Sequence, residues 1–226
     1  MKQPLDSIVA VNLGETAYQN ISDALIKGYF GPNEQLTIRA LAKMLGTSST
    51  PARDAVNRLI QDGALEQRSL RDIRVPIISE ARYLEIAVIR TELEGLAAAR
   101  AAEFATDANL KILDDLIRQN EIAIDEMSWG GAASLNQEFH FSLADAARMP
   151  VLRSVLHSLW LKIGPLLAGY YERGGRRMID HHYEIFEAVK SKDPERAREA
   201  IRYDINDPVE DICIYLRERV EHSSEK

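Results

Sequence analysis

The stretch from residue 36 to residue 65 decides the fold; it reads LTIRALAKMLGTSSTPARDAVNRLIQDGAL. In its centre, Gly46 is the residue type usually found just past a helix C-terminus. The hydroxyl residues and proline that follow, Thr47 to Pro51, are typical of the first turn of a new helix. That helix carries an apolar stripe at helical spacing and ends at Gly63. The stretch therefore predicts two short helices joined by a tight turn.

The flanking residues add one helix before this pair and two extended pieces after it. Residues 18–26 carry apolar side chains at helical spacing, and Gly28 ends that helix. Residues 64–68 and 73–77 are predicted strands, joined by Ser69-Leu70-Arg71-Asp72. The first helix of the central pair is expected to bury one apolar face, made of Leu36, Ala40, Leu41, Met44 and Leu45. Three helices followed by a small hairpin predict a winged helix-turn-helix.

From residue 79 onward the pattern is helical almost without interruption. Candidate helices cover residues 79–104, 106–127, 131–147, 149–172, 175–191 and 194–219. In the first of them the expected core-facing residues are Leu84, Val88, Leu93, Leu96 and Ala97. The fold class is therefore mainly α: a winged helix-turn-helix domain over residues 1–77 and an all-α antiparallel helical bundle over residues 78–226.

Composition excludes several classes of protein. The chain has 226 residues, of which 46% are hydrophobic and 28% charged, so disordered and collagen-like classes are excluded. Its single cysteine, Cys213, rules out an internal disulfide and fits a reducing compartment. The start, Met1 to Asp6, has no apolar run after its basic residue, which predicts no secretory signal, and no stretch resembles a membrane span. We expect a cytoplasmic protein.

Charge is distributed unevenly between the two predicted domains. The whole chain has a net charge of −7, which argues against a protein that coats nucleic acid along its entire surface. Residues 1–76 carry 9 basic and 8 acidic side chains, whereas the remainder carries 19 and 27. Between residues 39 and 74 there are seven basic and four acidic side chains. A mildly basic segment joined to an acidic bundle indicates two domains with different partners.

The predicted helix-turn-helix presents side chains suited to operator DNA. The second helix of such a motif enters the major groove through its N-terminal residues. Hydroxyl groups can bond phosphates or base edges there, and an arginine can bind guanine through two hydrogen bonds. A purely structural alternative is that the hydroxyl groups cap the helix and the arginines form a solvated face. The candidate DNA-binding residues are Arg39, Ser48, Ser49, Thr50, Arg53 and, in the wing, Arg71 with Arg68 and Arg74.

Residues 14–77 resemble the DNA-binding domain of the GntR family of bacterial transcription regulators. The resemblance rests on residues 36–42 (LTIRALA), 45–55 (LGTSSTPARDA), Leu59 and 63–65 (GAL). It implies a regulator that binds double-stranded operator DNA as a homodimer. Two positions depart from the family pattern, which usually has arginine where this chain has Ser49 and commonly glycine where it has Asp72. The first changes the operator contacts, and the second places a carboxylate near the phosphates.

Four polar side chains lie on apolar stripes of three predicted helices: Asn136, His140, His182 and Asp204. Burying such groups without partners is costly, so they need to be satisfied together or one by one. Convergence on a divalent cation is one solution, and nitrogen and oxygen donors suit zinc, nickel, manganese or iron. The alternative is that each of the four is an isolated, hydrogen-bonded core residue.

Residues 79–219 resemble the helical ligand-binding domain of the FadR-type branch of the GntR family, the FCD domain. Motifs at residues 90–94 (RTELE), 139–140 (FH), 182–188 (HYEIFEA) and 193–197 (DPERA) carry the resemblance. Many members bind a divalent metal through an aspartate, a histidine four residues later, and two further histidines. His140 and His182 match this pattern, whereas Asn136 and Asp204 exchange its acidic and neutral positions. The resemblance therefore implies a retained but altered metal site.

The function predicted from the residues and the resemblance is a homodimeric transcription regulator that responds to a small organic acid bound at or near the metal. The resemblance favours a repressor, and an activator is the alternative. Arg90 is the candidate partner of this anionic effector, and a structural pair between Arg90 and Glu94 is the alternative. A metal-free regulator with a hydrogen-bonding pocket also remains open. The third hypothesis is an enzyme in which His140, His182 and Asp204 form a two-histidine, one-carboxylate iron site. The sequence favours a regulator over an enzyme.

Overall fold

The computed structural model describes residues 13–69 and 71–224. The expectation about a secretory signal concerns Met1 to Asp6, which lie outside the described residues, as does Leu70 of the predicted wing turn. The N-terminal elements are α1 (Leu13–Ile26), β1 (Gln35–Leu36), α2 (Ile38–Met44), α3 (Ser49–Gln61), β2 (Glu66–Ser69) and β3 (Asp72–Arg74). The predicted winged helix-turn-helix is confirmed.

The wing is a small antiparallel sheet in which β3 lies between β1 and β2. Strand β1 is missing from the sequence prediction, which placed Leu36 on the apolar face of a helix. That placement is wrong because the helix begins later: Thr37 is the N-cap of α2, and its hydroxyl accepts from the Ala40 amide at 3.1 Å. The same prediction is wrong for Met44, whose side chain is 63% exposed, and for Ala40, which is exposed as well.

The C-terminal elements form a helical bundle. They are α4 (Glu80–Phe104), α5 (Asp107–Asp125), α6 (Trp129–Ala146), α7 (Pro150–Gly174), a 3₁₀ turn (Gly175–Met178), α8 (His182–Lys190), α9 (Pro194–Asn206) and α10 (Val209–Ser224). None of these helices, nor any other in the described residues, has the length and apolar character needed to cross a membrane.

Two predicted helices of the bundle are each divided in the structure. The one expected over residues 175–191 is a 3₁₀ turn that ends at Met178, followed by α8; the break lies at Ile179, whose φ of −136° is not helical. The one expected over residues 194–219 ends at Asn206 and resumes at Val209, because Pro208 has no N–H to continue the ladder. The predicted start of α9 is confirmed: the Asp193 carboxylate accepts from the Arg196 amide at 3.1 Å.

The predicted apolar stripe of α4 faces the core only in part: Ala97 is buried, and Leu93 and Leu96 pack against the core. Leu84 and Val88 are 39% and 65% exposed, so their predicted core position is wrong. The buried face instead includes Tyr83 and the charged side chains of Arg90 and Glu94. Burial of two charges on one helix indicates that neighbouring helices provide partners for them.

Candidate metal centre and DNA-reading surface

Three side chains from three helices meet in the interior of the bundle: His140 of α6, His182 of α8 and Asp204 of α9. One ligand atom from each lies within 4.8 Å of the other two, and all three residues are buried. The Nε2 atoms of both histidines face the same carboxylate. Nε2 of His140 is 3.3 Å from Oδ2 of Asp204, and Nε2 of His182 is 3.6 Å from Oδ1.

Three polar atoms around this cluster have no hydrogen-bond partner among the described residues. They are Oδ1 of Asn136 and both ring nitrogens of His182. His182 is fully buried and Asn136 is 4% exposed, so water does not satisfy them at the surface. Orphaned buried polar atoms call for a bound water or ion. Two imidazole nitrogens, one carboxylate and one amide oxygen form a donor set that a divalent cation such as zinc, nickel, manganese or iron accepts.

The other side of the His140 ring contacts Glu94, which the sequence reasoning did not place at the site. Nδ1 of His140 is 2.5 Å from Oε2 of Glu94. Oε1 of the same carboxylate accepts from Nε of Arg90 at 2.6 Å and from Nε1 of Trp160 at 3.1 Å. The guanidinium of Arg90 also lies 4.3 Å from the centre of the Trp160 ring. The spacing of Arg90 and Glu94 was the available signal, since it allows an ion pair within one helix.

The charges of this cluster are strongly coupled. Burial by itself lowers the pKa of His140, but the carboxylates of Glu94 and Asp204 outweigh it and raise the pKa to about 9. His182 is different: burial lowers its pKa to about 3, against the opposing effect of Asp204, so its ring is neutral. Burial raises the pKa of Glu94, but Arg90 and His140 outweigh it and bring the value to about 2. Asp204 is likewise ionised, because the two histidines lower its pKa against its burial.

A small cavity adjoins the cluster. Its polar wall consists of Arg90, Asn136, His140 and Asp204, and the remaining wall is mainly apolar, made of Tyr83, Leu167, Met178, Ile205, Pro208 and Ile212. The volume of about 20 Å³ is room for roughly one water molecule. Arg90 thus combines both roles considered from the sequence: it pairs with Glu94, and it faces the cavity. Among the described residues its only hydrogen-bond partner is Glu94.

The predicted DNA-binding residues are exposed on the winged helix-turn-helix. The exposed side chains are Arg39, Ser48, Ser49, Thr50, Arg53 and Arg71. Ser48 is the N-cap of α3, yet its hydroxyl makes no capping hydrogen bond, so the hydroxyl is available to bond another molecule. A solely structural role for Ser48 therefore has no support in its contacts.

The arginines of this domain fall into two groups. Arg58, Arg68 and Arg74 are paired with the carboxylates of Glu15, Glu66 and Asp72. Within the described residues, Arg39, Arg53 and Arg71 make no side-chain ion pair, which leaves their charges for another molecule. The contact of Asp72 with Arg74, at 2.8 Å, also offsets the carboxylate that departs from the family pattern.

Two protein-family models match the chain. The family model described as "Bacterial regulatory proteins, gntR family" matches residues 13–75, and the model described as "FCD domain" matches residues 85–207. The second match alone covers more than half of the chain. The chain belongs to the GntR family. Its helical bundle is an FCD domain, which confirms the resemblance found in the sequence.

Relatives in this family are transcription regulators. The HTH-type transcriptional regulator McbR of Escherichia coli K12 is 29% identical over 195 residues, which is 84% of this chain and 88% of McbR. The probable D-xylose utilization operon transcriptional repressor of Paenarthrobacter nicotinovorans is 29% identical, over 73% of each chain. These relatives confirm a GntR-family transcription regulator and count against the metalloenzyme hypothesis.

Solved structures of GntR regulators share the fold. The structure of E. coli McbR/YncC has a TM-score of 0.82 at 27% identity and covers 91% of this chain and 98% of its own. A GntR regulator from Rhodococcus sp. RHA1 has a TM-score of 0.73 at 18% identity, over 88% and 96% of the two chains, and supports the fold alone. The winged helix-turn-helix of the family implies DNA binding, and the FCD domain implies binding of an effector.

Proposed function

We propose that the chain is a homodimeric repressor whose affinity for operator DNA is controlled by a small organic acid bound beside a divalent cation. The head that reads DNA comprises residues 1–77, and the sensor comprises residues 78–226. The observation that carries this proposal is the buried convergence of His140, His182 and Asp204, with ligand atoms within 4.8 Å of one another.

The donor set supports a cation site. His140, His182 and Asp204 would hold the ion, and the amide oxygen of Asn136, which has no other partner among the described residues, would complete the set. A bound divalent cation would supply a positive centre that attracts a carboxylate. The chain itself contributes the apolar surroundings: the Phe139 ring stacks on His182 at 4.0 Å between ring centres and excludes water from it.

The adjoining cavity supports an anionic effector. Arg90 faces it with a guanidinium that keeps its charge at all physiological pH values, and only its Nε is engaged by Glu94. The opposite wall is apolar, so a carboxylate attached to a short apolar group fits the distribution of polar and apolar side chains. Because the cavity has room for about one water molecule, an organic acid must widen it, and such a change is what a sensor can transmit.

Operator binding is assigned to the exposed residues Arg39, Ser48, Ser49, Thr50, Arg53 and Arg71. A homodimer would place two such surfaces on the two halves of a palindromic operator. The exposed apolar side chains of Leu84 and Val88, one turn apart on α4, fit a contact between two copies.

One observation favours a metal-free sensor as the second candidate. Without any cation, the charges of Glu94 and Asp204 are balanced by Arg90 and by a protonated His140. The cluster is then neutral, and the cavity would bind its effector through hydrogen bonds alone.

Operator binding measured in three states of the protein separates these candidates. Protein purified without a histidine tag is stripped with a chelator and assayed on its own promoter DNA, then with zinc, nickel or manganese, and then with short carboxylic acids. We expect an acid to change DNA affinity only after metal is added, and His140→Ala and His182→Ala to abolish this dependence. His181→Ala changes a histidine outside the cluster and is the control. If the stripped protein responds fully to an acid, the metal-free sensor is correct. If the protein does not bind its own promoter DNA at low salt, the proposal that it is a DNA-binding regulator of that promoter is wrong.

A further inference from the structure

We propose that Glu94 prepares His140 for metal binding by fixing which of its two ring nitrogens carries a proton. The inference rests on the metal site proposed above. His140 presents Nε2 to Asp204, 3.3 Å away, and Nδ1 to Glu94, 2.5 Å away. A ring nitrogen that binds a metal needs a free electron pair, so the proton of a neutral ring must be on Nδ1.

Two neighbours of Glu94 can only donate hydrogen bonds, and they therefore fix its carboxylate as an acceptor. Its Oε1 receives hydrogen bonds from Nε–H of Arg90 at 2.6 Å and from Nε1–H of Trp160 at 3.1 Å. Neither a guanidinium nor an indole N–H can accept a hydrogen bond. Oε1 is thus an obligatory acceptor. Because the buried guanidinium of Arg90 needs a negative partner and lies 2.6 Å from Oε1, the carboxylate carries no proton, and Oε2 next to Nδ1 is an acceptor as well. Nδ1 of His140 must then be the donor. When the ring gives up one proton to bind a metal, the nitrogen that becomes free is therefore Nε2, which faces Asp204.

Burial disfavours every other pairing of hydrogen-bond donors and acceptors in this cluster. Arg90, Glu94, His140 and Trp160 are all at most 5% exposed, and they come from three different helices, α4, α6 and α7. Glu94 and Trp160 do not line the adjoining cavity, so solvent does not replace a missing hydrogen-bond partner of the Glu94 carboxylate. A wrong pairing of donors there would leave a buried group unsatisfied. Glu94 is a positioning residue in this account, because it acts on the ion only through the His140 ring.

The substitution Glu94→Gln replaces the hydrogen-bond acceptor at the Oε2 position by a donor and leaves the acceptor at the Oε1 position. Two donors still point at the Oε1 position, so the amide oxygen of glutamine must occupy it. The amide NH₂ then lies at the former Oε2 position and donates to Nδ1, which becomes an acceptor. The ring proton moves to Nε2, where it blocks the nitrogen that faces Asp204 and His182. A change of one carboxylate to its isosteric amide should consequently impair the metal site without touching a ligand.

A purely structural role of Glu94 makes a different prediction. If the carboxylate only compensates the buried charge of Arg90, any disturbance of the network should weaken metal binding to a similar degree. Trp160→Phe is the matched variant, since it removes one donor to Oε1 and leaves Arg90 to hold the carboxylate. The ring of His140 should keep its proton on Nδ1 in this variant.

Nitrogen-15 NMR of the histidine rings, together with zinc titrations, tests the proposal. In the wild-type chain we expect Nδ1 of His140 to be protonated both without metal and with zinc. In Glu94→Gln we expect Nδ1 unprotonated, Nε2 protonated, and zinc affinity reduced by about 100-fold, the upper end for loss of an outer hydrogen bond to a metal-binding histidine. In Trp160→Phe we expect Nδ1 protonated and a loss below about 10-fold.

The readings separate this proposal from the metal site on which it rests. An unprotonated Nδ1 in the wild-type chain overturns the role of Glu94 whether or not the variants fold. So does a protonated Nδ1 in Glu94→Gln, or an equal loss of zinc affinity in both variants. If the wild-type chain binds no zinc, the metal site itself fails, and the proton position in the metal-free wild-type and Glu94→Gln chains still decides whether Glu94 orients the ring.

Discussion

Gly164 of α7 lies directly against the backbone of Ile26, the last residue of α1. A β carbon at Gly164 would come within 2.5 Å of the Cα of Ile26 and within 2.8 Å of its carbonyl oxygen. One turn further along α7, Ala168 packs on Gly28, where a β carbon would lie 2.1 Å from the Ala168 Cβ. The DNA-reading head thus rests on the helix that also carries Trp160 into the buried cluster.

Gly164→Ala should therefore disturb the contact between head and sensor. The added methyl group meets backbone atoms, which cannot rotate away, so we expect a loss of about 1–3 kcal/mol in the free energy of unfolding. Urea denaturation checks this value, and the response of DNA affinity to metal should weaken as well. Gly130→Ala is the control, because a β carbon there has no atom within 4 Å and alanine favours the helix. Equal stability of both variants would contradict the close contact.

The two groups of arginines in the winged helix-turn-helix predict different effects on operator binding. Arg53→Ala removes an exposed charge from the first turns of α3 that has no ion-pair partner in the described part of the chain. We expect a loss of about 1–3 kcal/mol in operator affinity, and binding should release about one counterion fewer as salt is varied. Arg58→Ala removes an arginine of the same helix that is already paired with Glu15 and stacked on Tyr18 at 3.9 Å. It should leave operator affinity nearly unchanged.

Fluorescence anisotropy on promoter DNA at several salt concentrations measures both variants. If Arg58→Ala weakens binding as much as Arg53→Ala does, the assignment of α3 residues to the DNA-reading surface is wrong. Circular dichroism of each variant establishes that the helices are retained.

Local signals in the sequence predicted much of the fold. The turn from Gly46 to Pro51 and the start of α9 at Asp193 and Pro194 depend on backbone conformations that neighbouring residues impose. Strand β1 escaped prediction because it has only two residues and exists through its pairing with β3, nearly forty positions later. Non-local pairing of this kind leaves no periodic pattern in a short segment.

The candidate site, like the fold, could be predicted from the sequence only in part. Apolar stripes placed His140, His182 and Asp204 in the interior, and the structure brings these three together. Glu94 was visible only as a partner of Arg90, because its contact with His140 spans 46 positions and its contact with Trp160 spans 66. The exposure of Leu84 could not be predicted from the sequence either, since an apolar stripe on a helix indicates a covered face but does not identify what covers it.

The exchange of charge between Asn136 and Asp204 can be reversed by mutation. Asp204→His removes the carboxylate that faces both histidines, and we expect metal affinity to fall by more than the ~100-fold that a lost outer hydrogen bond costs. Asn136→Asp added to it restores a carboxylate one turn before His140, and should recover most of the loss. Calorimetric titration of the stripped double variant measures this coupling. Independent, additive effects of the two substitutions would show that the positions do not share one ion.

The metal-free chain should become less stable as the pH rises above neutrality. His140 has a pKa raised to about 9 in the folded chain, compared with 6.5 for an unperturbed histidine. A raised pKa contributes stability that is complete below about 6.5 and is lost as the pH approaches 9. The difference corresponds to roughly 3 kcal/mol in the free energy of unfolding. On the acidic side the lowered pKa of His182 makes stability fall as the pH drops from about 6.5 towards about 3. The lowered pKa of Glu94 adds a further loss as the pH drops from about 4.5 towards about 2.

Urea unfolding of chelator-treated protein between pH 6 and pH 9 measures the alkaline effect. His140→Gln removes the titrating ring, so its stability should depend less on pH over this interval, even if it is lower throughout. His181→Gln changes the neighbouring histidine that lies outside the cluster, and it should retain the wild-type slope. Parallel pH profiles for the wild-type chain and His140→Gln would mean that His140 is not the charged partner of Glu94 and Asp204 in the metal-free state.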